Sequence, residues 1–257
     1  MNNLGLAFYT VSGCVSKPEE YEGLYRKIRA MGYKFIEIGL SFPVPLPEYV
    51  KLLKDTDLKI MDVHIPLDVI KKDFANSVKA MKALECKYVT IPHPGSFPLN
   101  NEDDWKKLAK EATDAGKKLS EEGLILQYHN HHLEFQKYGS RTGIDVLYSE
   151  SDPKYLKAQI DTHWVCRGGG SPAAWILKMK GRIEQIHFKD TGLMDKSKPI
   201  FAVAGEGNLD WPGILAACRE CEIKNYVIEV DPNPYTPDPI KTAEIGYKNL
   251  LKMGLGD

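Results

Sequence analysis

His129, His131, His132 and Glu134 crowd into "YHNHHLEF", directly after the apolar run "LILQ". Imidazoles and carboxylates are costly where apolar residues bury most easily, unless they are paired or bound to a metal. Other short apolar runs carry similar groups at or near their ends: Glu37 in "FIEIGL", His64 in "DVHIP", His93 in "IPHPG" and Asp161 with His163 in "IDTHW". "IHFKD" adds His187, Lys189 and Asp190, and "VIEVD" adds Glu229 and Asp231. Six of the 7 histidines fall in such stretches and His132 is next to one, whereas random placement would scatter several into helices. Side chains alternate faces along a strand, so Gln127, His129 and His131 share a face. The same holds for Gln159 with Asp161, and for Gln185 with His187 and Lys189. If those faces point inward, His129, Asp161, His187 and Glu229 converge. Two imidazoles and two carboxylates suit a divalent transition metal such as Mn²⁺, Zn²⁺ or Co²⁺, with positions left open for substrate oxygens. A hydrogen-bonded strand end is the better reading for any one of them alone; the set is what indicates a metal or catalytic site.

Convergence needs a scaffold, and the sequence supplies one. Strand-like runs at 4–9, 34–40, 59–65, 87–93, 124–131, 157–164, 183–190 and 226–231 alternate with helix-period segments. The helical segments are 19–31, 47–55, 68–85, 101–122, 141–150, 171–180, 210–222 and 238–253. Asn101 starts the fourth, whose Trp105, Leu108, Ala109, Ala112, Ala115 and Leu119 lie at three-to-four spacing, and Gly123 stops it. Eight βα units in strict alternation predict a single-domain (β/α)8 TIM barrel over 1–257. In that fold, functional groups sit where strands end and loops begin. A doubly wound sheet would instead show a glycine-rich phosphate turn after its first strand, and "FYTVSGCVSKPEE" is not one.

A net charge of −1, from 34 basic and 35 acidic residues, argues against a nucleic-acid partner, which needs a basic surface. The apolar runs are too short to cross a bilayer, so no membrane partner is expected. The chain opens without a basic n-region and an apolar h-region. The cytoplasm is therefore the default expectation, with a removed leader left open. Five cysteines do not make a disulfide framework, and Cys218 and Cys221 fall within a helical pattern where packing is the stronger reading.

"KAQIDTHWV", "IHFKD", "VAGEGNLDWPGIL" and "YVIEVD" resemble the second half of the xylose-isomerase-like TIM barrels, and "YHNHHLEF" resembles the fifth-strand motif of their sugar phosphate isomerase/epimerase group. The resemblance covers essentially the whole chain and is densest from 124 to 231. It implies one divalent metal ion (Mn²⁺, Zn²⁺, Co²⁺ or Mg²⁺), held in that family by Glu, Asp, His and Glu from strands five to eight. Asp161, His187 and Glu229 match the last three positions. The fifth-strand glutamate does not carry over: pairing "HNH" with the family's Glu-x-His pattern puts His129 in the ligand position, while Glu134 could reach in from the loop. Epimerases of this family use that glutamate as one of two opposed acid–base groups, so its replacement keeps the reaction open.

The expected partner is a small-molecule carbohydrate, and a homodimer is compatible with the family. The expected reaction is metal-dependent isomerisation or epimerisation of a sugar or keto-sugar, by proton abstraction next to a carbonyl through an enediolate. The alternatives are a keto-sugar or cyclitol lyase (dehydratase) on the same site, and a non-catalytic carbohydrate-binding barrel. An AP endonuclease would need a three-metal cluster and a basic groove, which the charge balance does not support. Glu229 is the candidate base, beside a carbonyl that the metal would polarise. His131, titrating near neutrality, and Glu134 are further acid–base candidates. Lys189 would neutralise an oxyanion, unless a salt bridge to Asp190 or Glu206 uses its charge. Glu37, His64, His93, Trp164 and Glu206 are candidate substrate contacts, and Phe8 or Tyr9 could stack on a sugar ring. "RGGGSP" could hold an anion at a helix start. The GxG of "GEGNLDW" lacks the Lys and Ser/Thr of a phosphate loop.

Overall fold

In the computed structural model, which describes residues 2–194, 198–232 and 238–256, eight parallel strands close into a barrel. They are β1 (Asn3–Ala7), β2 (Phe35–Gly39), β3 (Lys59–His64), β4 (Tyr88–Ile91), β5 (Ile125–His129), β6 (Lys157–Asp161), β7 (Ile183–Phe188) and β8 (Asn225–Ile228). Each pairs with its neighbours in sequence, and β1 closes the ring against β8. Helices connect the strands. The helix Glu102–Glu121 shows why: Trp105, Leu108, Ala109, Ala112, Ala115 and Leu119 are its buried stripe. Asn101 Oδ1 accepts the Asp104 N–H at 3.1 Å, and Gly123, at φ +77°, turns the chain out.

Three local departures from the sequence reading have physical causes. The run 68–85 is two helices, Leu67–Lys72 and Phe74–Ala83, because Asp73 adopts φ −134°, ψ 51° between them. The run 157–164 stops as strand at Asp161, whose Oδ1 accepts the Trp164 N–H at 2.8 Å and so starts the helix Thr162–Arg167. After β7 the chain forms an antiparallel hairpin, Asp190–Met194 with Lys198–Ala202, in place of a plain loop.

The hairpin and "GEGNLDW" are gathered by one carboxylate. Asp190 accepts the N–H groups of Thr191, Gly205, Gly207 and Leu209 and the indole N–H of Trp211, at 2.5–3.1 Å. A Cβ at Gly207 would stand 2.4 Å from Asp190 Oδ1, so only glycine fits against it. Asp210 caps the next helix through the Gly213 N–H at 3.1 Å. Cys218 is buried in that helix, and Cys221 bonds to the Ile176 carbonyl, which is packing and not a redox pair. Among the described residues, no helix is long and apolar enough to cross a membrane.

Candidate metal centre and active site

Strand register stacks the inward side chains in layers. In the lower layer Gln127, Gln159 and Gln185 meet Asp62 and Thr90, all fully buried. Asp62 Oδ2 accepts from Thr90 Oγ1 at 2.7 Å, Gln159 Nε2 at 2.5 Å and Gln127 Nε2 at 3.3 Å. Burial, then the charge of Glu37, pushes the Asp62 carboxyl up to about 8, so it carries its proton at neutral pH. Asp62 and Gln159 were not among the expected site residues. The signal for Asp62 was present, since the alternation that turns His64 inward turns Asp62 inward too.

One layer higher, His129, Asp161, His187 and Glu229 bring one donor atom each within 4.8 Å of one another. The register explains it: Asp161 pairs with His187, and His129 with Gln159. His187 donates from Nδ1 to Glu229 Oε2 at 3.0 Å and from Nε2 to Glu37 Oε2 at 2.6 Å. Burial opposes charge on His187, yet Glu37 and then Glu229 outweigh it and raise its pKa well above the ordinary value. Glu37 Oε2 also lies 3.2 Å from His64 Nε2, whose hydrogen bond goes to Gln159 Oε1 at 3.3 Å. His129 is driven the other way, held neutral by burial and by the charge of His187.

Lys189 pairs with neither Asp190 nor Glu206. Its buried Nζ lies 2.6 Å from Asp231 Oδ2, 2.9 Å from Glu229 Oε2 and 3.6 Å from Asp161 Oδ2. Burial pushes the Glu229 carboxyl up, but Lys189 and His187 prevail and hold it well below the usual range. Asp161 is pushed up to about 7, chiefly by burial.

His129 and Glu229 open into a cavity of about 410 Å³ walled also by Glu37, His64, His93, His131 and Asp231, with Phe8 and Tyr9 on its apolar side. His131 lies with its ring 4.9 Å from that of His129, and burial pushes it down to about 4. His93 accepts the Gly95 N–H at Nδ1, 3.0 Å away. A larger cavity of about 490 Å³ at the opposite barrel end, around Tyr88 and Glu184, contains no comparable cluster among the described residues.

Three candidates stand apart from this group. Glu134 is buried behind β5, accepting from Tyr128 Oη and the His131 N–H at 2.9 Å each, so it shapes the loop after β5. Burial raises it to about 7. Glu206 is exposed and accepts from Asn249 Nδ2 at 2.7 Å. Trp164 packs behind the wall, stacked on His132 at 5.2 Å, with Lys189 Nζ 5.1 Å from its ring centre. At "RGGGSP" the Ser171 hydroxyl accepts the Ala174 N–H, and the helix that follows is only Pro172–Lys178.

The donor set fits a divalent metal, for which His187 would give up one of its two ring protons to free a nitrogen. Asp161 Oδ2 is buried without a hydrogen-bond partner. His129 Nδ1–H donates to Gln159 Oε1 at 3.0 Å, which leaves Nε2 as the ligand nitrogen. Gln159 in turn is held by Asp62. Gln159→Leu should therefore weaken Mn²⁺ or Zn²⁺ affinity by about 10–100-fold, read by competition with a metallochromic chelator. Unchanged affinity would show that His129 needs no orienting partner.

The xylose isomerase-like TIM barrel model matches residues 25–248. Inosose dehydratase from Salmonella agona is 22% identical over 277 aligned positions, covering 93% of this chain and 90% of the relative. The protein of that name from Lacticaseibacillus casei is 23% identical, with 92% and 90% covered. Among solved structures, a sugar phosphate isomerase/epimerase from Parabacteroides distasonis superposes with a TM-score of 0.82 at 18% identity, over 97% of this chain and 93% of that one. An L-ribulose 3-epimerase superposes at 0.73 with 14% identity, over 99% and 95%. With the barrel closed and this match spanning most of its length, the chain belongs to the xylose isomerase-like TIM barrel family.

Proposed function

We propose that the protein is a metal-dependent enzyme that abstracts a proton next to the carbonyl of a keto-sugar or cyclitol ketone. The observation that carries this is the meeting of His129, Asp161, His187 and Glu229, of which His129 and Glu229 open onto the cavity. A divalent ion held by those four would polarise the substrate carbonyl and stabilise the charge that develops on its oxygen. Glu229 is the base. Only its Oε2 is engaged by described residues, and it lines the cavity. Its low proton affinity restricts it to a carbon acidified by an adjacent carbonyl, and makes its protonated form a good acid in return. Lys189 keeps it ionised and sets its position.

β-Elimination of water is the favoured outcome. With Glu134 turned behind β5 to Tyr128, the β5 side offers no second carboxylate among the described residues, and one carboxylate suffices to take the α-proton and hand it to the departing hydroxyl. The dehydratase relatives are in keeping with that reading. Isomerisation or epimerisation is the second reading, favoured by His131 on the same cavity wall as a neutral imidazole that could serve the other face.

Elemental analysis of the purified protein should find one divalent metal per chain. Solvent deuterium should enter the α-position of a keto-sugar or cyclitol ketone, and chelation should stop it. Absorbance of an enone marks elimination, whereas an epimer resolved by NMR marks the second reading. Stoichiometric metal with no exchange into any ketone tested would sink proton abstraction.

A further inference from the structure

The cavity wall carries an unusual balance of charge for a site that would receive a sugar ester. Glu37, Glu229 and Asp231 line it, and among the described residues no Lys or Arg does. Behind that wall the buried Lys189 Nζ already faces Asp231 Oδ2 at 2.6 Å, Glu229 Oε2 at 2.9 Å and Asp161 Oδ2 at 3.6 Å. Recognition of a phosphate needs a cation with charge to spare, or convergent backbone N–H groups. Among the described residues neither is free: the helix start in "RGGGSP" is capped by its own Ser171 and lies outside the cavity lining, and the charge of a bound metal would be balanced by Asp161 and Glu229.

We propose that the site selects an uncharged polyol ketone and rejects its phosphate ester, and that Asp231 is the residue that sets this choice. This rests on the reading of the cavity as a ketone site. Asp231 acts twice. It stands on the wall, where a carboxylate offers a phosphate only acceptor oxygens and no N–H or O–H. It also takes up the remaining share of the Lys189 charge, after Glu229 and Asp161, that could have met an anion. On the opposite side Phe8, Tyr9 and Ile38 offer apolar surface to the C–H face of a polyol ring. Hydroxyl groups find carboxylate acceptors and the imidazoles of His129 and His131, which burial holds neutral, whereas a phosphate finds carboxylates.

The test compares matched pairs, each an unphosphorylated ketohexose or cyclitol ketone and its phosphate ester, on the metal-loaded protein. Binding is read by calorimetry and turnover by solvent deuterium exchange. The neutral member of a pair should bind and exchange at least tenfold better, and inorganic phosphate should not compete. Asp231→Asn should shrink that preference at least tenfold and make inorganic phosphate a competitive inhibitor. Asp231→Ser, checked by thermal melting alongside it, guards against a fold defect peculiar to one variant. Tighter binding of the ester by the unaltered protein would overturn the proposal, and so would failure of every neutral member to bind. A preference unchanged in both variants would remove Asp231 from the role. If neutral ketones bind and exchange nowhere, the proton-abstraction chemistry fails while the charge selection stands, so the two failures are told apart.

Discussion

Glu229→Gln, assayed at saturating metal, is expected to lower solvent exchange into the ketone by about 10³-fold, within the range lost when a positioned general base is removed. The substitution keeps shape and an acceptor oxygen for His187 and Lys189, both within 3.0 Å of Glu229 Oε2. What it removes is the charge that takes the proton. Because Glu229 also belongs to the four-residue donor set, metal affinity should fall too, and the two losses have to be separated. Asp161→Asn provides the comparison: it alters another member of the set without touching the base. Added Mn²⁺ or Zn²⁺ should therefore recover most exchange in Asp161→Asn and little in Glu229→Gln. Wild-type exchange in Glu229→Gln at saturating metal would transfer the base role to another group. His131 is the first candidate, as a neutral imidazole on the same cavity wall.

The convergence of His129, Asp161, His187 and Glu229 was legible because it depends only on strand period and on strands ending at one rim, and a closed barrel enforces both. Legibility stops where that period stops. β5 ends at His129, and the chain then passes into a short 3-10 turn, Leu133–Phe135, that carries Glu134 back under its own strand to Tyr128. No alternation rule reaches across such a turn, so the loop residue and the strand residue could not be ranked from spacing. Lys189 posed a different difficulty. Its sequence neighbour Asp190 looked like a partner, but adjacent residues leave a strand end in opposite directions. Asp190 went to the hairpin and the "GEGNLDW" backbone, whereas Lys189 went to carboxylates on β6 and just beyond β8. Partners contributed by other strands are set by the shear of the barrel, and a single sequence does not display it.

That buried layer leads to the second large effect, on stability. Asp62 is pushed up to about 8 from an ordinary value near 3.8. Between those values the folded chain holds a proton that the unfolded chain has released, so folding takes one up. Stability from this group is therefore fully present below about pH 4 and is lost as the pH rises toward 8. Asn at 62 imitates the protonated acid: it keeps an oxygen for Thr90, Gln127 and Gln159 and offers an N–H toward Glu37, while it cannot ionise. With metal removed by chelation, Asp62→Asn should match the wild type near pH 4.5 and exceed it by about 2–3 kcal/mol at pH 7 in urea unfolding. The ceiling for complete titration is about 6 kcal/mol, and relaxation around a buried carboxylate brings the measured value below it. Parallel pH profiles for the two proteins would mean that Asp62 is ionised in the fold. His64, 3.8 Å from Asp62 and raised by Glu37 against the cost of burial, would then be the cation that balances it. The direction of the pH slope thus reports which group in the layer beneath the candidate metal centre carries the proton.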